Sequence, residues 1–380
     1  MPRNFFLVIC PILPTAFHAG GQRIIDIYKN IKKKNKDSYL ILILNDKNID
    51  SNDIKIKNLY QTFNEIFFIN DNNLKSFIFR SSYLKSINFN VIDLQYTSSG
   101  KYISLCRKLW PSSKIILNVM ESQIRSLSIF VSNNLYKLLL PWRSFLGLLF
   151  GAVREYFYVL LSDQVITVSN ADKKYIQKFF SNKDKLINLV TCISLNDYNT
   201  YSLKKKPYVI VFFAYFKSKT NEDALMWFCE KVHPIILNKI PNYRFKVVGY
   251  GLDKALIQKL NIFKNVDFIG QVENISKALN NTAVGIAPAI GGSGVRGKIH
   301  QYAFFEIPCV ASPIASESLS YEHNESILIA KNHFEFAEFC IKLLSDKIFY
   351  KYIAINAKNI CLNNYIWDQK EDEIKKIYDL

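Results

Sequence analysis

This chain of 380 residues lacks the cysteine spacings that are typical of disulfide-bonded or zinc-binding proteins. The seven cysteines form no Cys-x-x-Cys pair, no disulfide framework and no zinc-site pattern. Cys10, Cys229 and Cys309 lie inside apolar runs, which is typical of buried, reduced thiols. The cysteine pattern therefore argues against a disulfide-stapled secreted module and favours a cytoplasmic globular protein.

Long uninterrupted apolar runs are also lacking. Residues 5–16 are broken by Pro11 and Pro14 and lead into a Gly-Gly pair without a cleavage site, so we interpret them as a first strand rather than a signal peptide. Residues 135–161 include four charged side chains, and their uninterrupted pieces fall short of the roughly 18 apolar residues that a spanning helix needs. Their Leu, aromatic and Arg residues suit either a helix packed between core and surface or a helix lying in a membrane interface.

Acidic residues are outnumbered, since 49 Lys and Arg stand against 32 Asp and Glu and give a net charge of +17. Residues 1–190 hold 26 basic and 13 acidic side chains, a balance of +13, whereas residues 191–380 hold 23 and 19, a balance of +4. The positive electrostatic potential of such a charge excess attracts nucleic acid, anionic lipid and phosphorylated small molecules alike. We expect no nucleic acid among the partners, because no recognisable binding module and no aromatic residues interleaved with Lys and Arg are visible.

Apolar, strand-like runs alternate with amphipathic helical stretches along the chain, which is typical of parallel β-α-β construction. A polar stretch that ends in three lysines and Pro207 separates two such series. The sequence therefore predicts an α/β protein of two Rossmann-like parallel-sheet domains. Residues 1–193 are the first domain, 194–207 the linker, 208–362 the second domain, and 363–380 a C-terminal helix that packs back on the first. The predicted strands are FFLVICPIL, YLILILN, EIFFIN, NVIDLQY, KIILNVM, DQVITVS, KLINLVTCI, YVIVFFAYF, YRFKVVGYG, VDFIGQV, AVGIAPAI, PCVAS and ESILIA.

Glycine is scarce, at 13 residues, yet four of them fall within 291–297, in the segment GGSGVRGKIHQYAFFEIPCVAS. This loop follows the strand VGIAPAI and precedes a helical stretch, so it lies at the carboxyl end of a strand, where open α/β sheets bind ligands. Its glycines let the backbone approach a ligand, and Arg296 and Lys298 add positive charge. The pattern predicts a phosphate-binding loop, with a tight turn carrying a solvated Arg and Lys as the alternative.

A second glycine pair follows the first predicted strand, in the segment HAGGQR. Glycines between a strand and a helix let a sugar or a phosphate approach the backbone. A turn that needs positive φ explains the glycines equally well but leaves the adjacent Arg23 unexplained. We expect substrate contacts at the five positions His18, Gly20, Gly21, Gln22 and Arg23.

These landmarks, taken in order, resemble the glycosyltransferases of the GT-B fold, specifically the large retaining family four that builds bacterial polysaccharides and glycolipids. The resemblance covers nearly the whole chain and rests on HAGGQR, VITVSNAD, FFAYFKSKTNEDALMWF, RFKVVGYG, VDFIGQVEN, APAIGGSGVRGKI and YIWDQKEDEIKKIY. It implies two domains facing a cleft, the second holding a nucleotide diphosphate sugar and the first holding the acceptor. It also implies no cofactor beyond this co-substrate.

Carried over to this sequence, the resemblance assigns catalytic roles to Arg296 and Lys298, which would neutralise charge on the diphosphate leaving group. It assigns a third role to Glu121, at the end of the strand KIILNVM, where the family has a polar residue facing the cleft and where capping of the strand end is the alternative. The donor contacts that it implies are Gly292, Ser293, Gly294, Val295, Gln301, Lys217, Lys219 and Asn221. Segment HAGGQR would contact the acceptor.

Two family landmarks are missing. The carboxylates of the E-x7-E pair are replaced by Ser293 and Gln301, of which only the Gln301 amide can still bind a ribose hydroxyl. The Arg and Lys that usually follow the first strand of the second domain are absent in their register, so Lys217 and Lys219 fit a solvated loop better. Asn221 matches a family variant that places its Arg and Lys in the later loop. A rearranged donor site, weakened activity or a noncatalytic scaffold stays open.

Metal ligands are not expected, because no Asp-x-Asp pair lies at a strand end. The histidines at 233, 300, 323 and 333 have no partners at metal or triad spacing, so we interpret them as structural. The sequence thus predicts a cytoplasmic, membrane-peripheral hexosyltransferase at the inner face of the cell membrane. It would transfer sugar to a hydroxyl of a glycan or lipid-linked acceptor in cell-surface polysaccharide synthesis, with retention and without a metal. A nucleotide-sugar epimerase on the same fold is the alternative, disfavoured by the scarcity of carboxylates and histidines.

Overall fold

The computed structural model describes residues 4–14, 19–44, 59–69, 71–134, 142–195, 207–272 and 275–380. The chain divides into two compact units. The first contains the opening strand, Gly20–Val190 and Lys370–Leu380, and the second contains Thr191–Gln369. The change of unit at 190/191 lies next to the predicted domain end at 193, and most of the predicted linker lies outside the described residues.

Seven parallel strands form the sheet of the first unit. They are β1 (Phe5–Cys10), β2 (Tyr39–Leu44), β3 (Glu65–Phe68), β4 (Val91–Gln95), β5 (Lys114–Val119), β6 (Gln164–Thr167) and β7 (Leu186–Asn188). Their order across the sheet is β3-β2-β1-β4-β5-β6-β7. In β1, β2 and β5 every residue after the first is buried, because helices cover both faces of a parallel sheet.

Helices surround this sheet. They are α1 (Ala19–Lys34), α2 (Asp71–Arg80), α3 (Ser82–Lys85), α4 (Ile103–Leu109), α5 (Gln123–Asn134), α6 (Trp142–Leu161) and α7 (Asn170–Ile176). A 3-10 segment, Thr97–Tyr102, connects β4 to α4. Helix α6 is the part of the predicted apolar segment 135–161 that the structure describes, and residues 135–141 lie outside it.

Six parallel strands form the sheet of the second unit. They are β8 (Val209–Phe213), β9 (Arg244–Val248), β10 (Val266–Gly270), β11 (Val284–Ala287), β12 (Cys309–Ala311) and β13 (Leu328–Ile329). Their order is β10-β9-β8-β11-β12-β13. Every predicted strand has a counterpart, and the prediction of two parallel-sheet α/β domains is confirmed.

The helices of the second unit begin with α8 (Lys219–Trp227), a π-helical turn (Phe228–Val232) and α9 (His233–Lys239), which follow one another without a break. They continue with α10 (Lys254–Leu260), α11 (Ile275–Leu279), α12 (Lys298–Phe304), α13 (Pro313–Ser316), α14 (His333–Ser345) and α15 (Lys347–Asn364). A 3-10 turn, Trp367–Lys370, leads to α16 (Glu371–Tyr378).

Both sheets have their strand order reversed between the first and fourth strands of the unit, so that β1 pairs with β4 and β8 pairs with β11. The chain leaves such neighbouring strands in opposite directions, which opens a crevice at their carboxyl ends. Each unit therefore carries one position where its topology favours a ligand. In the second unit the loop 291–297 follows β11 at that position.

Helix α16 belongs to the first unit, although it follows the whole second unit in the sequence. Its Ile374, Ile377 and Tyr378 are buried. The Tyr378 hydroxyl donates to the carboxylate of Asp93 in β4 at 2.8 Å, and Lys114 bonds the Ile377 carbonyl at 2.7 Å. These contacts attach α16 to the amino-terminal sheet.

Candidate functional site

The loops after β8 and β11 meet at the topological switch point of the second unit. A Cβ atom placed on Gly292 would lie 3.3 Å from the Thr220 Cγ2 atom, so the loop after β11 lies against the first turn of α8. Gly292 and Gly294 both adopt φ of 84°, a conformation that only glycine adopts without strain. Their lack of side chains therefore permits both the loop conformation and its close packing.

The Arg296 side chain forms hydrogen bonds with the backbone of this loop. Its Nη1 donates to the Ser293 carbonyl at 3.0 Å, and its Nη2 donates to the Gly291 carbonyl at 2.9 Å. Ser293 itself is buried, with 1% of its surface exposed, so its side chain faces the protein. The structure thus gives Arg296 a loop-holding role beside its predicted charge on the leaving group, which stays a prediction.

Lys298 begins α12 directly after the loop. Its Nζ lies 4.2 Å from the centroid of the Phe212 ring, and no carboxylate of the described ranges forms an ion pair with it. Burial, and then the nearby charge of Arg296, lower the pKa of Lys298 to about 7. A lysine with a displaced pKa beside a phosphate-type loop is the arrangement expected of a group that gains its partner on ligand binding. Sequence reasoning identified this residue but could not predict its pKa.

The orientation of α12 is set by Tyr302. Its ring lies against Gly285 in β11, where a Cβ atom would come within 2.5 Å of the ring, and its hydroxyl is 3.3 Å from the Phe213 amide nitrogen. Gln301 lies three residues after Lys298, which puts both on one side of the short helix. The ribose contact predicted for Gln301 and the donor contact predicted for Val295 remain predictions.

The predicted residues after β8 serve local structure. Lys219 is mostly exposed and pairs with Asp223 at 2.9 Å on its own helix. Lys217 places its Nζ 4.9 Å from the Tyr250 ring centroid, and the Asn221 amide donates to the Tyr215 carbonyl at 2.9 Å. Lys217 therefore lies in an exposed loop, as interpreted, whereas Lys219 is the exposed first residue of α8.

Sequence reasoning missed the loop after β9. Gly249 has φ of 151°, and a Cβ atom there would lie 1.7 Å from the Ala214 carbonyl oxygen. This close approach brings the rings of Tyr215 and Tyr250 into a stack with centroids 5.8 Å apart. The sequence signal was the segment GYG at the end of a predicted strand, because the loop 291–297 also has glycines after a strand.

In the first unit the predicted strand-to-helix turn is wrong in its local structure. Gly20 and Gly21 lie inside the first turn of α1, so neither needs positive φ. Gln22 donates to the Asp26 carboxylate at 2.8 Å, and Arg23 is fully buried and donates to the Val190 carbonyl at 3.4 Å. His18 lies outside the described residues, and the acceptor role of this segment stays a prediction.

Glu121 lies exposed in the bend after β5, as a strand-end residue does, and its catalytic role is likewise untested. Two other carboxylates of the first unit, Glu155 and Asp93, are buried, which the sequence did not reveal. Burial raises the pKa of Glu155 to about 7 and that of Asp93 to about 6. Asp93 is held by Tyr28, Tyr378, Gln95 and Asn118.

The buried histidines are core residues. His300 stacks on Tyr365 with centroids 3.9 Å apart, and burial lowers its pKa to about 3. His233 contacts Tyr243, and burial lowers its pKa to about 4. Among the described residues no group of three or more His, Cys, Asp and Glu is arranged to hold a metal ion.

Comparison of the fold with solved structures finds two-domain glycosyltransferase architectures. Anabaena Alr3699/HepE in complex with UDP and glucose has a TM-score of 0.73 at 12% identity, over 98% of this chain and 99% of that chain. Sucrose-phosphate synthase from Thermosynechococcus elongatus has a TM-score of 0.73 at 11% identity, over 99% and 98%. A TarM mutant from S. aureus, in complex with Fondaparinux, alpha-GlcNAc-glycerol and UDP, has a TM-score of 0.70 at 9% identity, over 99% and 100%. The fold is that of the GT-B glycosyltransferases.

The sequence comparison finds a family match over part of the chain. Residues 207–346 match the family model described as Glycosyl transferases group 1. A protein of Klebsiella pneumoniae, "Uncharacterized 44.6 kDa protein in cps region", is 25% identical over 152 residues, which span 38% of this chain and 39% of that protein. Residues 207–346 therefore resemble this glycosyltransferase family, and the fold is similar to that of solved GT-B glycosyltransferases, so the predicted resemblance is confirmed at that level. Membership of family four is compatible with these matches and stays a prediction.

Proposed function

We propose that this chain moves a sugar from a nucleotide diphosphate sugar to a hydroxyl of a glycan or a lipid-linked acceptor. The observation that best supports this is the loop 291–297, which lies at the switch point of β8 and β11 and inside the matched region 207–346. Its two left-handed glycines and the ammonium of Lys298, which has no ion pair in the described part of the chain, suit a diphosphate. UDP and sugars in the structures of similar fold support a UDP-sugar as the first donor to test.

The chemistry that these residues can perform is stabilisation of the leaving group. As the bond between the anomeric carbon and the diphosphate oxygen breaks, negative charge grows on the diphosphate, and Lys298 and Arg296 would neutralise it. In a retaining front-face reaction the acceptor oxygen bonds to the same face, and its proton passes to the departing phosphate. Such a reaction needs neither a protein nucleophile nor a cofactor beyond the co-substrate.

A role in cell-surface polysaccharide synthesis is supported by the relative named for its cps region. Enzymes of such a route meet acceptors that are attached to lipid, and the basic residues 1–190 favour an anionic surface. We place the protein in the cytoplasm, at the inner face of the cell membrane, with a nucleotide sugar and a glycan or lipid-linked acceptor as its partners.

The test is a donor panel assayed for hydrolysis and transfer with the wild type, Arg296→Ala and Lys298→Ala. Each variant should lose more than about tenfold in turnover below the Michaelis constant, because each removes a charge-assisted bond of roughly 1.5 to 3 kcal/mol. Lys259→Ala, an exposed lysine on α10 of the same unit, is the control and should match the wild type. Wild-type rates in both loop variants would remove this loop from the mechanism.

Metal independence is tested in the same assay. Transfer should persist in excess chelator, because the sequence contains no Asp-x-Asp pair for a cation that would bridge the diphosphate. Activity that is lost on chelation and restored by magnesium or manganese would contradict this part of the proposal.

A noncatalytic scaffold is the second candidate, because neither position of the family's carboxylate pair holds an acid and the Ser293 side chain is buried. Donor binding without hydrolysis or transfer across the whole panel would favour the scaffold. Turnover with any donor that is lost in Lys298→Ala would favour the enzyme.

A further inference from the structure

Helix α6 carries a continuous apolar stripe on its outer face. The exposed members are Trp142, Leu146, Phe150, Val153, Phe157 and Leu160. Their spacing of three and four residues places them on one side of the helix, at about 100° per residue. Phe150 is 64% exposed and Phe157 53%, and a contiguous exposed apolar surface that includes them is typical of an interaction site.

The opposite face of α6 is fixed to the first unit by polar contacts. Glu155 is fully buried and accepts hydrogen bonds from the Ser122 hydroxyl at 2.8 Å and from the amides of Gln123 and Ile124 at the start of α5. At the other end, the Lys185 ammonium donates to the carbonyls of Val159 and Leu160, at 2.6 and 3.2 Å. The helix thus has one face committed to the fold and one face left to solvent.

By length and composition α6 could cross a membrane, and 22% of its most apolar window is buried. A crossing would carry Glu155 into hydrocarbon and strip the start of α5 of its carboxylate cap. The polar contacts of the inner face therefore favour a helix that stays docked and presents only its outer face. Sequence reasoning reached the choice between core helix and interfacial helix but could not separate the two faces.

Charge favours lipid over a second copy of the chain as the occupant of this stripe. Arg143 and Arg154 lie on the same flank of the stripe, and the Arg143 guanidinium lies 5.5 Å from the Trp142 ring centroid. Residues 1–190 have a balance of +13, so two copies face to face would repel each other, whereas an anionic surface attracts every one of these charges.

We infer that the outer face of α6 is a lipid-docking surface that lies in the plane of an anionic membrane, with the apolar stripe inserted at headgroup depth and the two arginines at the phosphates. The biological role of this surface rests on the proposed function, since docking would bring the protein to lipid-linked acceptors. Its physical basis is independent, because it uses no residue of the donor loop.

The test is sedimentation with vesicles of phosphatidylcholine alone and of equal parts phosphatidylcholine and phosphatidylglycerol. The wild type should bind the anionic vesicles at low salt and be released at high salt. Phe150→Glu/Phe157→Glu should bind about a hundredfold more weakly, because two inserted rings are replaced by charges. Arg143→Gln/Arg154→Gln should lose about thirtyfold on anionic vesicles and keep its residual binding to neutral ones.

The matched control is Ile348→Glu/Ile355→Glu. These residues are also seven apart on a helix, α15, and are 84% and 51% exposed. This variant should bind vesicles like the wild type. Equal loss in both pairs, or no loss in the α6 pair, would overturn the inference, and so would a wild type that does not bind anionic vesicles.

Two further measurements test the other arrangements of α6: its depth in the membrane tests a spanning helix, and the oligomeric state of the protein tests a dimer. Trp142 and a tryptophan placed at 150 should be quenched equally by lipids labelled near the headgroup, whereas a spanning helix would put residue 150 about 12 Å deeper. Light scattering that showed a dimer in the wild type and a monomer in the α6 pair variant would assign the stripe to a second copy instead. Binding of UDP without vesicles should be unchanged in the α6 variant. Vesicle binding without any turnover would therefore leave the docking inference standing while the proposed function failed.

Discussion

At the scale of single residues, Lys298 is expected to make donor binding depend on pH. With a pKa of about 7 in the free protein, much of Lys298 is neutral at pH 7.5 and nearly all of it at pH 9. Diphosphate binding favours the charged form, so binding takes up a proton and weakens as the pH rises above 7. We expect the Kd for UDP, measured by calorimetry, to rise by about tenfold from pH 7.5 to pH 9.

The matched variant is Lys298→Arg, because a guanidinium keeps its charge throughout this range. Its Kd for UDP should be nearly flat between the same two pH values. A wild type as flat as the arginine variant would show that the Lys298 ammonium does not contact the diphosphate.

Glu155 is expected to make the stability of the first unit fall as the pH rises. Its pKa is raised from 4.5 to about 7, so between these values the folded state binds more protons than the unfolded state. The free energy of unfolding therefore declines across that window, by about 3 kcal/mol in total, and is level above it. Glu155→Gln should lack this decline in urea melts taken from pH 4.5 to 8.

Asp93, whose pKa is raised to about 6, adds a decline of the same sign to both proteins, so the difference between wild type and variant isolates Glu155. Parallel pH curves for the two proteins would show that Glu155 is not the titrating group. Neither buried acid was visible in the sequence, because burial depends on which side of α6 and β4 faces the core.

At the scale of elements, the loop 291–297 contains two neighbouring glycines that differ in how well their positions would accept a side chain. Gly292 has φ of 84° and its missing Cβ would lie 3.0 Å from Arg296 Nη2, whereas nothing lies within 4 Å of a Cβ on Gly291. Gly292→Ala should cost about 1 to 2 kcal/mol and weaken UDP binding, since the loop must change its shape.

Gly291→Ala should keep wild-type stability and affinity, measured by thermal melting and calorimetry. The idea that loop conformation governs donor binding fails if both alanines behave alike.

Much of the loop 291–297 and of the strand before it could be predicted from sequence, because both depend on short-range residue patterns. Strand runs such as VGIAPAI and glycines at their carboxyl ends report a backbone pattern that needs no distant contact. The bracing of the loop by Arg296, the stack of Tyr215 on Tyr250 and the helical placement of Gly20 all depend on atoms brought together by the fold. A pattern of residue types does not contain those distances.

At the scale of the whole molecule, α16 links distant parts of the chain. Tyr378→Phe keeps the ring beside Tyr28 and Phe6 but removes the hydroxyl that donates to Asp93. We expect a loss of about 1.5 to 3 kcal/mol, because a buried carboxylate loses a donor.

The variant should unfold at lower urea concentration and keep its affinity for UDP, since Tyr378 lies in the first unit. A change in UDP affinity of the size seen for Gly292→Ala would contradict the separation of the two roles.

The hydrogen bond from Tyr378 to Asp93 joins residues 285 positions apart. A ribosome adds about 5 to 20 residues per second, so Asp93 is synthesised roughly 15 to 60 s before its partner. From the synthesis of β7 onward the first sheet has all of its strands, but its buried carboxylate still lacks the hydrogen bond from Tyr378. The nascent first unit is therefore more open to proteases and to aggregation while the second unit is being made, and it gains its full resistance only when α16 emerges.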